Sequence, residues 1–304
     1  MTFSDGGMDG GMDGGMDGGM DGGMSGGMRF PAFGILSLTN TLAPAAMGEA
    51  PLILNATFPD SSFAPALRAQ VVLAEYLRTK DWLTTAVDDR DDSEETLKRA
   101  VGALLERVPE RAARFSEIQA QAKAMHAVWL SAMMAGSRPG VQQLIAVGIA
   151  VGHTVGMHWK FKFRAPRPVQ VYPGLMPIVP TPPHGSYPSN HSFQSHLIAG
   201  LLRAAYREVG ADTAVHLHVL EALADRIAEN REVAGVHFPS DSEAGATLSE
   251  ETLPRLLEMP SVQDMVRKAA AELGAGIKAG VRPDAPSPAL KGPAKKPQPA
   301  PVGA

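Results

Sequence analysis

Cysteine is absent from the 304 residues, which excludes disulfides and thiolate metal sites and leaves the redox compartment open. Runs of lysine and arginine are missing as well. Lys and Arg number 28 against 32 Asp and Glu, a net charge of −4, and no basic stretch is interleaved with aromatics, so nucleic acid is not an expected partner. The chain also lacks an unbroken apolar run of about 20 residues. Its most apolar stretch, Leu144 to Trp159, is interrupted by His153, Thr154 and His158. No integral membrane span is therefore expected, and the protein reads as soluble. Segments with the apolar–polar alternation of strands are not evident.

Glycine (31) and proline (25) are abundant, concentrated at the two ends and in the loop before His191. Met8, Met12, Met16, Met20, Met24 and Met28 recur every four residues within Gly-Gly-Met-Asp units. Glycine at that density loses too much backbone entropy to order. Residues 1–48 are thus expected to be a disordered leader. If translation started at Met28, Arg29 and the following Phe30 to Ala46 would make a degenerate secretory signal. A Pro/Ala/Lys-rich tail, 283–304, should be disordered too. Between them, 49–282 is long enough for one domain with a sizeable core. Export to a periplasm or medium and retention in the cytoplasm both stay open, as does a homo-oligomer.

Within that domain the apolar period is helical. Leu67, Val71, Ala74 and Leu77 mark a first helix, and Ser93 caps a second reaching Arg107. A third spans Pro109 to Met134 and a fourth 141–163. Others run from His191 to Val209, Thr213 to Gly235, Ser242 to Leu248, and Ser261 to Ala279. The acidic run Asp88 to Asp92 reads as a solvated turn. The expected fold is all-α, a helical bundle.

Two features need more than packing to explain them. Gly148, Gly152, Gly156 and Lys160 lie four apart and share one helix face, which predicts close approach of another backbone and a lysine held in that packed stripe. Arg231 falls at the next position of the apolar stripe Leu220, Leu223, Ala224, Ile227. A buried guanidinium needs a partner: either a core carboxylate such as Glu208 or Asp225, or a bound anion.

Three clusters carry the candidate chemistry: KFKFRAPRP from Lys160, GSYPSNH from Gly185, and NREVAGVHFPSD from Asn230. They supply three fixed cations, two histidines, a hydroxyl at a helix start and a carboxylate placed to orient an imidazole. Their order and spacing, Lys160-x6-Arg167-Pro168, Pro188-Ser189-Asn190-His191 and Asn230-Arg231-x5-His237-x3-Asp241, resemble the signature of a superfamily. It joins type 2 phosphatidic acid phosphatases, bacterial class A acid phosphatases and vanadium haloperoxidases. GSYPSNH and AGVHFPSD are most similar to the soluble acid phosphatases. Two positions depart, with Asn190 where the family has glycine and Asn230 where it has serine, and both bear on substrate range and rate.

The resemblance implies a helical bundle of the acid phosphatase/haloperoxidase type, acting on a small phosphorylated substrate. Lys160, Arg167 and Arg231 would neutralise the dianion, with Ser189 and the Asn190 amide adding donors at a helix start. His237 would be the nucleophile, Asp241 would fix its tautomer, and His191 would protonate the leaving alkoxide and then activate water. No divalent metal or other cofactor is required. In the haloperoxidase alternative the same pocket holds vanadate through His237. A non-catalytic anion-binding module is the third reading. His184 is expected near the entrance; His126, His153, His158, His196, His216 and His218 read as background.

Overall fold

The computed structural model describes residues 57–59, 62–84, 87–211 and 213–280. The expectations for 1–48 and 283–304 fall outside the described residues. Among those described, the chain is all-α, as its periodicity predicts. Its long helices are α1 (Pro65–Arg78), α2 (Glu94–Glu106), α3 (Arg111–Ala132), α4 (Pro139–Phe163), α5 (Asn190–Glu208), α6 (Ala214–Val233), α7 (Pro239–Leu257) and α8 (Pro260–Gly280).

Local chemistry sets the helix starts. Ser93, Ser189 and Thr213 cap α2, α5 and α6, each hydroxyl accepting from the amide three residues on. Pro139 and Pro239 open α4 and α7, where proline's missing N–H costs nothing. Both helices therefore begin earlier than apolar periodicity alone suggests. α7 also runs to Leu257, through Pro254, well beyond the expected Leu248. At its start the Asp241 carboxylate accepts from the Phe238 amide at 3.0 Å. α3 is interrupted at Ala124 (φ −152°, ψ 55°), a bend the sequence does not announce.

α5 is the hub and packs against α4, α6, α7 and α8. Its contact with α4 runs along the glycine stripe. A Cβ on Gly148, Gly152 or Gly156 would overlap Ile198, Gln194 or Asn190 respectively, so the three glycines set the interhelical distance. On the first helix the expected face is corrected. Leu67 and Val71 are exposed, whereas Ala69, Val72 and Tyr76 are buried. The helix has two apolar faces, and the buried one presents small Ala69 and Val72, allowing α1 to sit close on α4.

The exclusion of a membrane-spanning segment is also corrected. Pro139–Val171, containing α4, is long and apolar enough to cross a membrane by length and composition. His153, Thr154 and His158 are outweighed by the surrounding Val, Ile, Ala and Leu, and the stretch has no acidic residue. In the fold, 72% of its most apolar window is buried among other helices.

Candidate active site

The centre of the cluster is His237, between α6 and α7. Gly235, with φ +81°, turns the chain there. The following Val236 amide donates to Arg231 O at 3.1 Å, and His237 is brought back over the end of its own motif. Its Nδ1 lies 3.0 Å from Asp241 Oδ2. Its Nε2 lies 3.1 Å from Arg167 Nη1. A guanidinium only donates, so Nε2 carries a lone pair and the ring proton sits on Nδ1, donated to Asp241. Burial and the charge of Arg167 push the His237 pKa well down, which keeps Nε2 unprotonated at neutral pH.

Asp241 is fully buried. Oδ2 accepts from His237, from the Phe238 amide and from Ser186 Oγ, while Oδ1 accepts from Arg90 Nη1 at 2.8 Å. Burial alone would raise the carboxyl, yet its hydrogen bond from His237 and the neighbouring charges outweigh burial and hold it below the usual carboxylate range.

Lys160 and Arg167 approach from the end of α4 and the turn after it, both 2% exposed. Lys160 Nζ donates to Gly185 O (3.0 Å) and Ser186 O (2.8 Å), and burial, then the charge of Arg167, pushes its pKa well below the usual lysine value. All five Arg167 N–H groups meet protein acceptors. Nε donates to His184 O, Nη1 to Val236 O and His237 Nε2, and Nη2 to His184 Nδ1 and Gly185 O. Burial lowers its pKa to about 10, so it stays charged. Both cations line a cavity of about 790 Å³, with His184, Met157, Phe161 and Pro182 among its other walls.

The start of α5 is brought in by two glycines. Gly156 leaves room for the Asn190 side chain, and a Cβ on Gly245 of α7 would lie 2.5 Å from Ser189 O. The Ser189 amide donates to Asp241 O at 2.8 Å, tying the helix start to the third cluster. His191 follows, partly buried. Burial, then the charge of Arg231, then those of Lys160 and Arg167 depress its pKa to about 3. Its ring therefore lies within electrostatic reach of all three cations.

Arg231 makes its hydrogen bonds to α3, from Nη2 to Ile118 O (3.0 Å) and Gln121 Oε1 (3.4 Å). Among the described residues no carboxylate is ion-paired with it. Glu208 is not its partner, and Asp225 instead contacts His196. Its buried Nε, and both polar atoms of the Asn190 side chain, make no hydrogen bond among the described residues, although buried polar groups are normally satisfied. Asn230 turns away to brace α3, donating to Gln121 Oε1 and accepting from Arg114.

No family model matches this sequence, and no curated protein does. A solved structure described as the first transmembrane PAP2 type phosphatidylglycerolphosphate phosphatase, from Bacillus subtilis, is similar at 14% identity. The match covers 63% of this chain and 92% of that one, with a TM-score of 0.33. What the cluster can do follows from its own atoms.

One of those atoms' hosts escaped sequence reasoning, and a second was foreseen only in part. Arg90, in the acidic run read as a solvated turn, has a side chain only 4% exposed and pairs with Asp241. His184 was expected near the entrance, and the residue does line the cavity; its hold on Arg167 at 3.0 Å was not foreseen. Neither partner is close in the chain, and a charge within an Asp-rich stretch carries no periodic signal.

Proposed function

We propose that the protein is a metal-independent phosphomonoester hydrolase that works through a phosphohistidine on His237. The observation carrying this reading is the tautomer of His237: Nδ1–H is committed to Asp241 and the Nε2 lone pair is aimed at the Arg167 guanidinium.

A phosphate dianion entering from the 790 Å³ cavity offers Arg167 and Lys160 charge-assisted acceptors stronger than the neutral groups they now hold. Arg167 Nη1 exchanges the ring nitrogen for a phosphate oxygen, which frees Nε2. The unpaired Nε of Arg231 and the hydroxyl and amides at the α5 start supply further donors. Nε2 then attacks phosphorus while the bond to the leaving alcohol oxygen breaks. His191 gives that oxygen a proton.

In the second half His191 takes a proton from water, the hydroxide oxygen bonds to phosphorus, and the P–Nε2 pair returns to the ring. The free-protein pKa of about 3 for His191 fits this role only with substrate bound. Burial is the first cause of that depression and the three cations add to it; a bound dianion offsets the cations and favours a charged imidazolium beside it, so binding raises the imidazole's proton affinity.

The test is an assay of the purified protein with p-nitrophenyl phosphate, with and without EDTA, and separately with vanadate, peroxide and bromide. Hydrolysis that survives EDTA is expected. Loss with EDTA would bring in a metal, and bromide oxidation without hydrolysis would make the pocket a vanadate site.

A further inference from the structure

We propose that Arg90 is a positioning residue of this site: it holds Asp241 so that Asp241 can orient His237 without pulling the ring proton away. This rests on the hydrolase reading above, and it concerns a residue outside all three motif clusters.

The geometry is that of a built brace. The Arg90 side chain is 4% exposed and stacks over the Phe238 ring at 5.1 Å. Nη1 donates to Asp241 Oδ1 (2.8 Å), Nη2 to Pro166 O (3.1 Å), and Nε to Asp92 (2.6 Å). Two residues earlier, Asp88 O accepts from the Tyr187 hydroxyl at 2.7 Å. One short segment therefore grips Pro166 of the first cluster, Tyr187 of the second and Asp241 of the third. A solvated turn would have no reason to bury its one cation.

The electrostatic consequence is specific. Asp241 divides its oxygens, with Oδ1 to Arg90 and Oδ2 to His237, Ser186 and the Phe238 amide. The other charges facing the pair are Arg167 and Lys160, with Asp92 on the far side of Arg90 and His184 behind Arg167. Arg90 draws carboxylate charge toward Oδ1 and so weakens the pull of Oδ2 on Nδ1–H. Without it the ring becomes more electron-rich. In the second half-reaction water bonds to phosphorus and the P–Nε2 pair returns to the imidazole. An electron-rich ring leaves more slowly, so loss of Arg90 should retard this step more than the first.

The experiment uses the full chain as wild type, Arg90→Gln and Arg90→Lys. The protonation of His237 is followed by ¹H–¹⁵N NMR against pH, and the steady-state phosphoenzyme is trapped from a ³²P-labelled aryl phosphate. In R90Q the second proton on His237 should go on at higher pH than in wild type, because the cation opposing it is gone. Phosphoenzyme should accumulate, and turnover should fall roughly 10- to 100-fold, as for other orienting partners. R90K, which keeps the charge, should leave the titration near wild type. A folded R90Q with unmoved His237 titration and unchanged phosphoenzyme level overturns the proposal, even if turnover drops. If R90Q does not fold, R90K decides: a shifted titration despite the retained charge would overturn it. A wild type that forms no phosphoenzyme defeats the hydrolase reading, and the NMR titration still judges Arg90.

Discussion

His237 and His191 are two imidazoles in one cluster made unlike by their neighbours. His237 is fixed between an acceptor and a guanidinium; the pKa of His191 is depressed first by burial and then by the charges of Arg231, Lys160 and Arg167. His237→Ala should abolish trapped phosphoenzyme, and labelled phosphate still bound to that variant after an alkaline denaturing quench, which preserves a P–N bond, would refute the nucleophile. His191→Ala should lower turnover of alkyl phosphates by roughly 10²- to 10⁴-fold, and p-nitrophenyl phosphate less, since its leaving group needs no proton. Equal losses on both substrates in the rate of phosphoenzyme formation, read before the water step, would remove His191 as the acid. Arg231 separates stability from function. It is buried without an ion-paired carboxylate among the described residues, and an uncompensated buried charge is costly, so an apolar side chain of similar volume removes a desolvation cost along with two hydrogen bonds. Arg231→Met should therefore keep the melting temperature within a few degrees while weakening phosphate binding. A collapse in stability would mean that the α3 carbonyl and Gln121 are its purpose.

Between elements, two glycines decide where the start of α5 lies. Ser189, Asn190 and His191 reach the cluster because α4 and α7 present hydrogens where a methyl would collide. At Gly245 the obstacle is the Ser189 carbonyl, which is backbone and cannot turn aside. Gly245→Ala should cost about 1–3 kcal/mol and reduce activity together with stability, measured by denaturant unfolding. At Gly156 the obstacle is the Asn190 side chain, so Asn190→Gly should rescue Gly156→Ala. Additive losses in the double variant would show that the two do not share one space. Asn190 is thus coupled to a glycine 34 positions earlier in the chain.

For the whole molecule the same burial makes acid the natural denaturant. His191, His184 and His237 all have pKa values below the unfolded 6.5, with His184 at about 4 and His191 at about 3. Burial is the first cause in each, with nearby cations adding to it. Between those values and 6.5 the unfolded chain binds more protons than the folded one, so stability rises with pH across that window. Asp241, depressed below its usual range, adds stability that is present above about 3.8 and lost below it. The melting temperature should fall steadily from pH 7 to pH 4. Inorganic phosphate should raise it at every pH, by about 2.7 kcal/mol of stability at a hundredfold excess over Kd. A flat profile would mean that these histidines titrate normally in the folded chain.

The sequence alone determined whatever depends on short spacing. It placed the helices and the caps at Ser93 and Ser189, because hydrogen bonds across three or four residues are set by helix geometry. It also foretold close packing along the Gly148–Gly156 face. Only the tertiary structure decided which face of α1 is buried, that Arg231 has no carboxylate partner among the described residues, and that an arginine 151 positions from Asp241 holds it. Those choices rest on desolvation and on side chains meeting across long loops, and neither leaves a period in the chain.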